Sequence, residues 1–153
     1  MSLRVSIEES YKEAIKSKKL EKANTLRLIK SAIKDKDIEN RTSESSKQIN
    51  DHQILALLQN LIKQRKDSIE SFKIASRDDL IAEEELEIDL ISQFLPKQLN
   101  EKETEEIIKE IIKKQSFSSL KDMGALMNNL KSEYAGSVDM ATAGKIAKLI
   151  LNN

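Results

Sequence analysis

The chain has 153 residues, 39% of them hydrophobic, and its 26 Lys/Arg and 26 Asp/Glu cancel to a formal net charge of zero. That length suits one ordinary domain or two small ones, and the charge balance excludes a global field drawing the chain to nucleic acid or anionic lipid. No cysteine, three glycines and one proline exclude disulfides, thiolate metal sites and thiol nucleophiles, and leave little turn material for sheets, so the expected class is all-α.

Apolar residues at helical spacing predict a first helix from about Ser2 to Ser17, carrying Val5, Ile7, Tyr11, Ala14 and Ile15. A second begins near Lys19. At 100° per residue, Leu26, Leu28, Ile29, Ala32 and Ile33 share one half of it. Arg27, Lys30 and Lys34 lie within an arc of roughly 60° on the other half, a basic stripe. The segment Asn40 to Lys47 has no apolar residue and is expected to be a mobile loop. Asn50 or Asp51 then offers an N-cap for a third helix, about Asp51 to Ser76, with Ile54, Leu58, Leu61, Ile62, Ile69 and Phe72 on one face. A break at Arg77 and Asp78 precedes a fourth helix to Leu95.

Pro96, the single proline, must end that helix, because it lacks a backbone donor and clashes with the preceding turn. The chain is therefore expected to divide into an N-terminal domain of about four helices, residues 1–95, and a small three-helix domain, residues 96–153. In the second part, Asn100 with Glu103 forms a capping-box pattern ahead of Ile107, Ile108, Ile111 and Ile112, a helix ending near Gln115. Ser119 with Asp122 starts another, bearing Met123, Leu126, Met127 and Leu130, with Gly136 as its stop. Asp139 caps the last, which holds Ile146, Ala147 and Ile150. Gly124 and Gly144 fall inside these helices at a cost of about 1 kcal/mol each against alanine. Either an RNA backbone approaches closely there, or, as we favour, helix packing leaves no room for a methyl group.

Charge is polarised along the chain. From Lys12 to Lys34 eight basic residues face two acidic ones, whereas from Asp51 to Leu95 five basic residues face ten acidic ones. The stripe of Arg27, Lys30 and Lys34, with Lys121, Lys131 and Lys145 from the second domain, is the candidate surface for a polyanion, since phosphate binding needs several cations on a rigid face. No aromatic interleaves the stripe, which argues against stacking on unpaired bases and for recognition of backbone and shape.

Catalytic residues, metal ligands and a bound cofactor are not expected. The one histidine, His52, has no His or Cys partner at helical spacing and reads as a solvated first-turn residue. Three scattered glycines build no phosphate loop. Ser118 and Ser119 read as helix-capping residues rather than nucleophiles. Among the carboxylates, Glu84 and Glu87 project toward the apolar stripe of the fourth helix, and Arg65 lies on that of the third. A structural ion pair between Arg65 and Glu84 or Glu87 is expected to link the two helices.

Taken together, Asn24 to Lys34, Lys63 to Glu70 with Phe72, Ala75, Arg77 and Asp79-Leu80, then Glu84, Glu87-Ile88, Phe94 to Leu99, Lys121-Asp122-Met123-Gly124, Gly136 and Asp139 resemble the YqeY family over nearly the whole chain. The resemblance implies a larger helical domain followed by a three-helix one, akin to the tail of the B subunit of tRNA-dependent amidotransferases, which helps hold tRNA away from the chemistry. It implies an accessory, non-catalytic module whose partners are tRNA or a synthetase or amidotransferase complex. Glutamine-dependent amidotransfer by the chain alone ranks last, because it needs a glutaminase nucleophile and an ATP–Mg²⁺ site that no residues here supply. As an adaptor, the chain would present Met123, Leu126, Met127 and Leu130 to a partner helix, unless that stripe is the small domain's own core. With no cysteine, no apolar run near the roughly 20 residues that span a bilayer and no signal-peptide stretch, the expected location is cytoplasmic and away from membranes.

Overall fold

The computed structural model describes residues 2–41 and 48–152, and among them lie seven α-helices, one 3-10 turn and no strand. The all-α expectation holds. Most of the expected loop, Thr42 to Lys47, lies outside the described residues. The chain divides into two compact units, Met1–Leu95 and Pro96–Asn153, each around its own buried cluster.

The first unit contains α1 (Leu3–Lys16), α2 (Leu20–Glu39), α3 (Asp51–Ile74) and α4 (Asp78–Ser92). Ser2 caps α1 by accepting from the Val5 N–H, and Asn50 with Gln53 makes a reciprocal capping box at α3, satisfying amides that helix starts leave without partners. α1 packs on α2 and α3 on α4. Ile7 and Ala14 from α1, Leu26, Ile29 and Ile33 from α2, Ile54, Leu58 and Ile62 from α3, and Ile91 from α4 form the core. Fully burying an Ile or Leu stabilises by about 1.5–3 kcal/mol. α4 ends at Ser92, three residues earlier than expected. Ahead of Pro96, residues 93–95 close with i→i+3 bonds, Gln93 to Leu90, Phe94 to Ile91 and Leu95 to Ser92. The residue before a proline is pushed out of the α region, so the last turn tightens and unwinds.

In the second unit, α5 (Glu101–Gln115) follows the capping box of Asn100 with Glu103, and its C-cap Ser116 is left-handed, φ 57°. Ser119 and Asp122 cap a 3-10 turn (Leu120–Asp122) rather than an α-helix, and α6 (Met123–Glu133) continues from it. Gly136, φ 77°, lies in the turn beyond α6; this is backbone that a residue with a Cβ rarely adopts. Asp139 caps α7 (Met140–Leu151). Ile108, Ile111, Leu126, Leu130, Val138, Ala143, Ala147 and Leu151 are the core.

Candidate functional site

A three-residue turn folds α2 back along α1: Lys18 takes φ 58° and the Lys19 N–H reaches the Ala14 carbonyl at 2.9 Å. Ile7 and Ile33 meet in the core, and the neighbouring positions on each helix are left at the seam. The result is an open cleft of about 400 Å³ with Ile7, Ile33 and Ser31 in its lining, and with four cations and two carboxylates around them: Arg4 and Glu8 from α1, Arg27, Lys30, Lys34 and Asp37 from α2. The basic stripe is thus one wall of a two-helix cleft.

Its cations are in three different states. Arg4 is fixed: its guanidinium meets both Asp37 carboxylate oxygens at 2.9 Å and donates to the Ile49 carbonyl, while Asp37 also accepts the Ile49 N–H at 2.9 Å. This buried carboxylate joins α1, α2 and the segment entering α3. The Arg4 hydrogen bond, reinforced by the Ile49 amide, holds the Asp37 carboxyl below the usual aspartate range. Lys30 is engaged more loosely. Its ammonium sits 2.8 Å from Glu8 Oε2, with the two side chains 37% and 42% exposed, and lies 4.2 Å above the Tyr11 ring centroid. That contact lowers the Glu8 pKa, the Lys30 hydrogen bond being the main cause.

Arg27 and Lys34 are exposed and, among the described residues, meet no carboxylate. Arg27 donates only to neutral oxygens, Asn24 Oδ1 at 3.0 Å and the Tyr11 hydroxyl at 3.2 and 3.4 Å, with its guanidinium carbon 5.7 Å from that ring. An aromatic therefore does stand beside the stripe, brought from α1, although none interleaves it along α2; Lys30 covers its ring face.

The remaining site residues fall elsewhere. Lys121 is on the 3-10 turn, Lys131 in the last turn of α6 and Lys145 on α7, all exposed, on three separate elements. Arg65 Nε donates to Glu87 Oε2 at 2.7 Å and its Nη1 to the Leu61 carbonyl at 3.0 Å. Glu84 receives no such bond. Burial, then the Glu87 charge, raises its pKa against the opposing pull of Arg65. His52 is exposed in the first turn of α3. Ser119 Oγ accepts from the Lys121 N–H, so the hydroxyl serves the cap.

The glycine expectation needs correction. A methyl group added at Gly124 would meet nothing within 4 Å, and at Gly144 only Met127 Cε at an ordinary 3.8 Å; crowding explains neither glycine. Of the two readings of the apolar stripe of α6, the small domain's own core is the one that holds: Leu126 and Leu130 are fully buried, and Met123 and Met127 pack against the same cluster.

Asp37 and Glu8 line the cleft and Tyr11 stands beside it, without being among the sequence-predicted site residues. Asp37 was within reach of the sequence, since it falls on the same side of α2 as Ile29 and Ile33, and a carboxylate on an apolar stripe demands a partner. Glu8 and Tyr11 act across helices and leave no such trace.

The family model described as Yqey-like protein matches residues 4–151. Over 153 residues the chain is 26% identical to the "Altered inheritance of mitochondria protein 41, mitochondrial" of Vanderwaltozyma polyspora, covering 94% of this chain and 80% of that one. Proteins of the same name match over shorter stretches: in Saccharomyces cerevisiae 36% over 84 residues, 55% of this chain and 43% of that one, and in Lachancea thermotolerans 34% over 90 residues, 59% and 46%. The aligned stretch spans less than half the length of each of the latter two. These relatives are mitochondrial by name, which overturns the expectation of a cytoplasmic protein. Its grounds were too weak physically, because an absence of cysteine is compatible with any reducing compartment. Among the described residues no helix is long and apolar enough to cross a membrane.

Proposed function

The chain belongs to the Yqey-like protein family, and from that premise we propose that it is a small non-catalytic module that holds tRNA by its phosphate backbone. The observation that carries this reading is the pair Arg27 and Lys34, two cations in the lining of the α1/α2 cleft that meet no carboxylate among the described residues, flanking a third, Lys30. A desolvated or carboxylate-paired cation gives little to a phosphate, whereas an exposed one held only by neutral oxygens or water on a rigid helix exchanges condensed counterions for a direct contact. Lys121, Lys131 and Lys145 add exposed positive charge from the second unit. The resemblance to amidotransferase B-subunit tails supplies the choice of tRNA among polyanions.

Filter binding of bulk tRNA at two salt concentrations tests it. Retention at low salt is expected to fall steeply as salt rises, with a slope of about −0.7 to −0.9 per phosphate neutralised. Arg27→Ala/Lys30→Ala/Lys34→Ala should abolish it. No retention at low salt, or retention unchanged in the triple variant, would falsify the reading.

A further inference from the structure

Resting on that polyanion reading, we propose that Glu8 is the residue that sets the affinity of the α1/α2 cleft, an internal anion that occupies Lys30 and must be displaced by the incoming phosphate. Glu8 and Lys30 stand on different helices and both line the cleft, so their 2.8 Å contact bridges it from α1 to α2. The two carboxylates of the cleft differ in kind. Asp37 is buried, engages Arg4 through two bonds and accepts a third from a backbone amide; no ligand takes Arg4 from it cheaply. Glu8 makes one bond, in a pair more than a third exposed, where water and salt leave little net attraction. Lys30, moreover, keeps the Tyr11 ring beneath its ammonium when Glu8 leaves, so its position survives the exchange.

A polyanion anchored on Arg27 and Lys34 brings its next phosphate within reach of Lys30 at high effective concentration. An anion with one charge lacks that hold and competes with Glu8 unaided. The bound state has Lys30 on a phosphate and Glu8 returned to water, where the carboxylate gathers a counterion. One fewer ion is released overall than the count of contacts implies.

Glu8→Gln keeps the shape of the side chain and removes the competitor. tRNA binding by the full chain is to be measured across a salt series for the wild type, Glu8→Gln and Glu9→Gln. The last removes the same charge from an exposed neighbour on α1 and reports any effect of net charge alone. Glu8→Gln is expected to bind about three- to fivefold more tightly at low salt, with a salt slope steeper by up to about one, and Glu9→Gln to stay near the wild type. Glu8→Gln indistinguishable from the wild type, or from Glu9→Gln, overturns it and leaves the polyanion reading standing. If the wild type retains no tRNA at low salt, that reading falls and this inference with it.

Discussion

Asp37 shows how a single carboxylate can organise a fold and still respond to pH. It holds the Arg4 guanidinium and the Ile49 amide while only 9% exposed, so Asp37→Ala leaves a charge and a buried N–H unpaired, at a cost of about 2–3 kcal/mol in urea unfolding. Its carboxyl is more acidic in the fold than the ordinary 3.8. Stability from Asp37 is therefore present above that value and lost as pH falls through the lower, folded one. The acid limb of the stability curve should be shallower in Asp37→Asn than in the wild type. Glu84 has the opposite sign. Its pKa is raised above 4.5, so the protonated form suits the fold, and the stability it brings is complete below 4.5 and lost as pH rises through the folded value. Glu84→Gln should unfold at a higher urea midpoint than the wild type at pH 7, and the gap should close at pH 4. For Arg65 and Glu87, with side chains 13% and 32% exposed, either alanine substitution should cost about 1–2 kcal/mol, and Arg65→Met/Glu87→Leu less than the two singles together.

Helix ends explain what was legible at the scale of elements and what was not. Asn50 or Asp51, Asn100 with Glu103, and Asp139 are local signals, read within one turn of chain, and the caps form there, with Asn50 the one that serves α3. The end of α4 was misplaced because a proline acts upstream over a whole turn, through the restriction on Leu95 and the tightening at Gln93 and Phe94. The stripe of Arg27, Lys30 and Lys34 was visible from periodicity within α2. Glu8 and Tyr11 were not, since which residues of α1 stand opposite is fixed by how Ile7 and Ala14 pack, a tertiary fact. Gly124 departs from its expected crowding for the same reason: one-dimensional spacing says it is helical but not what lies above it. Open space there predicts that Gly124→Ala stabilises by about 0.5–1 kcal/mol, because helix propensity improves and nothing clashes. At the end of α5, Ser116 holds φ 57° with a Cβ, and Ser116→Gly should gain about 0.5 kcal/mol by relieving it. Thermal midpoints check both, and a lower midpoint in either variant would show that its side-chain environment differs from the one described.

A molecule with no net charge can bind a polyanion only where its charges separate, and here they separate along the chain, with a basic excess from Lys12 to Lys34 and an acidic excess from Asp51 to Leu95 that lies in α4. Two triple variants distinguish a local site from a diffuse field. Arg27→Gln/Lys30→Gln/Lys34→Gln and Lys121→Gln/Lys131→Gln/Lys145→Gln each remove three positive charges and shift the net charge equally. A long-range field would weaken tRNA binding to a similar degree in both, and mainly through the association rate. Contact within the α1/α2 cleft predicts inequality. The first variant should lose binding altogether, and the second should lose about tenfold or less, with the salt slope reduced in proportion to the phosphates released. Equal losses in the two variants would mean that the protein holds its ligand by the sum of scattered lysines, and that the cleft, with its Arg27 and Lys34, contributes no more than any other patch of positive charge.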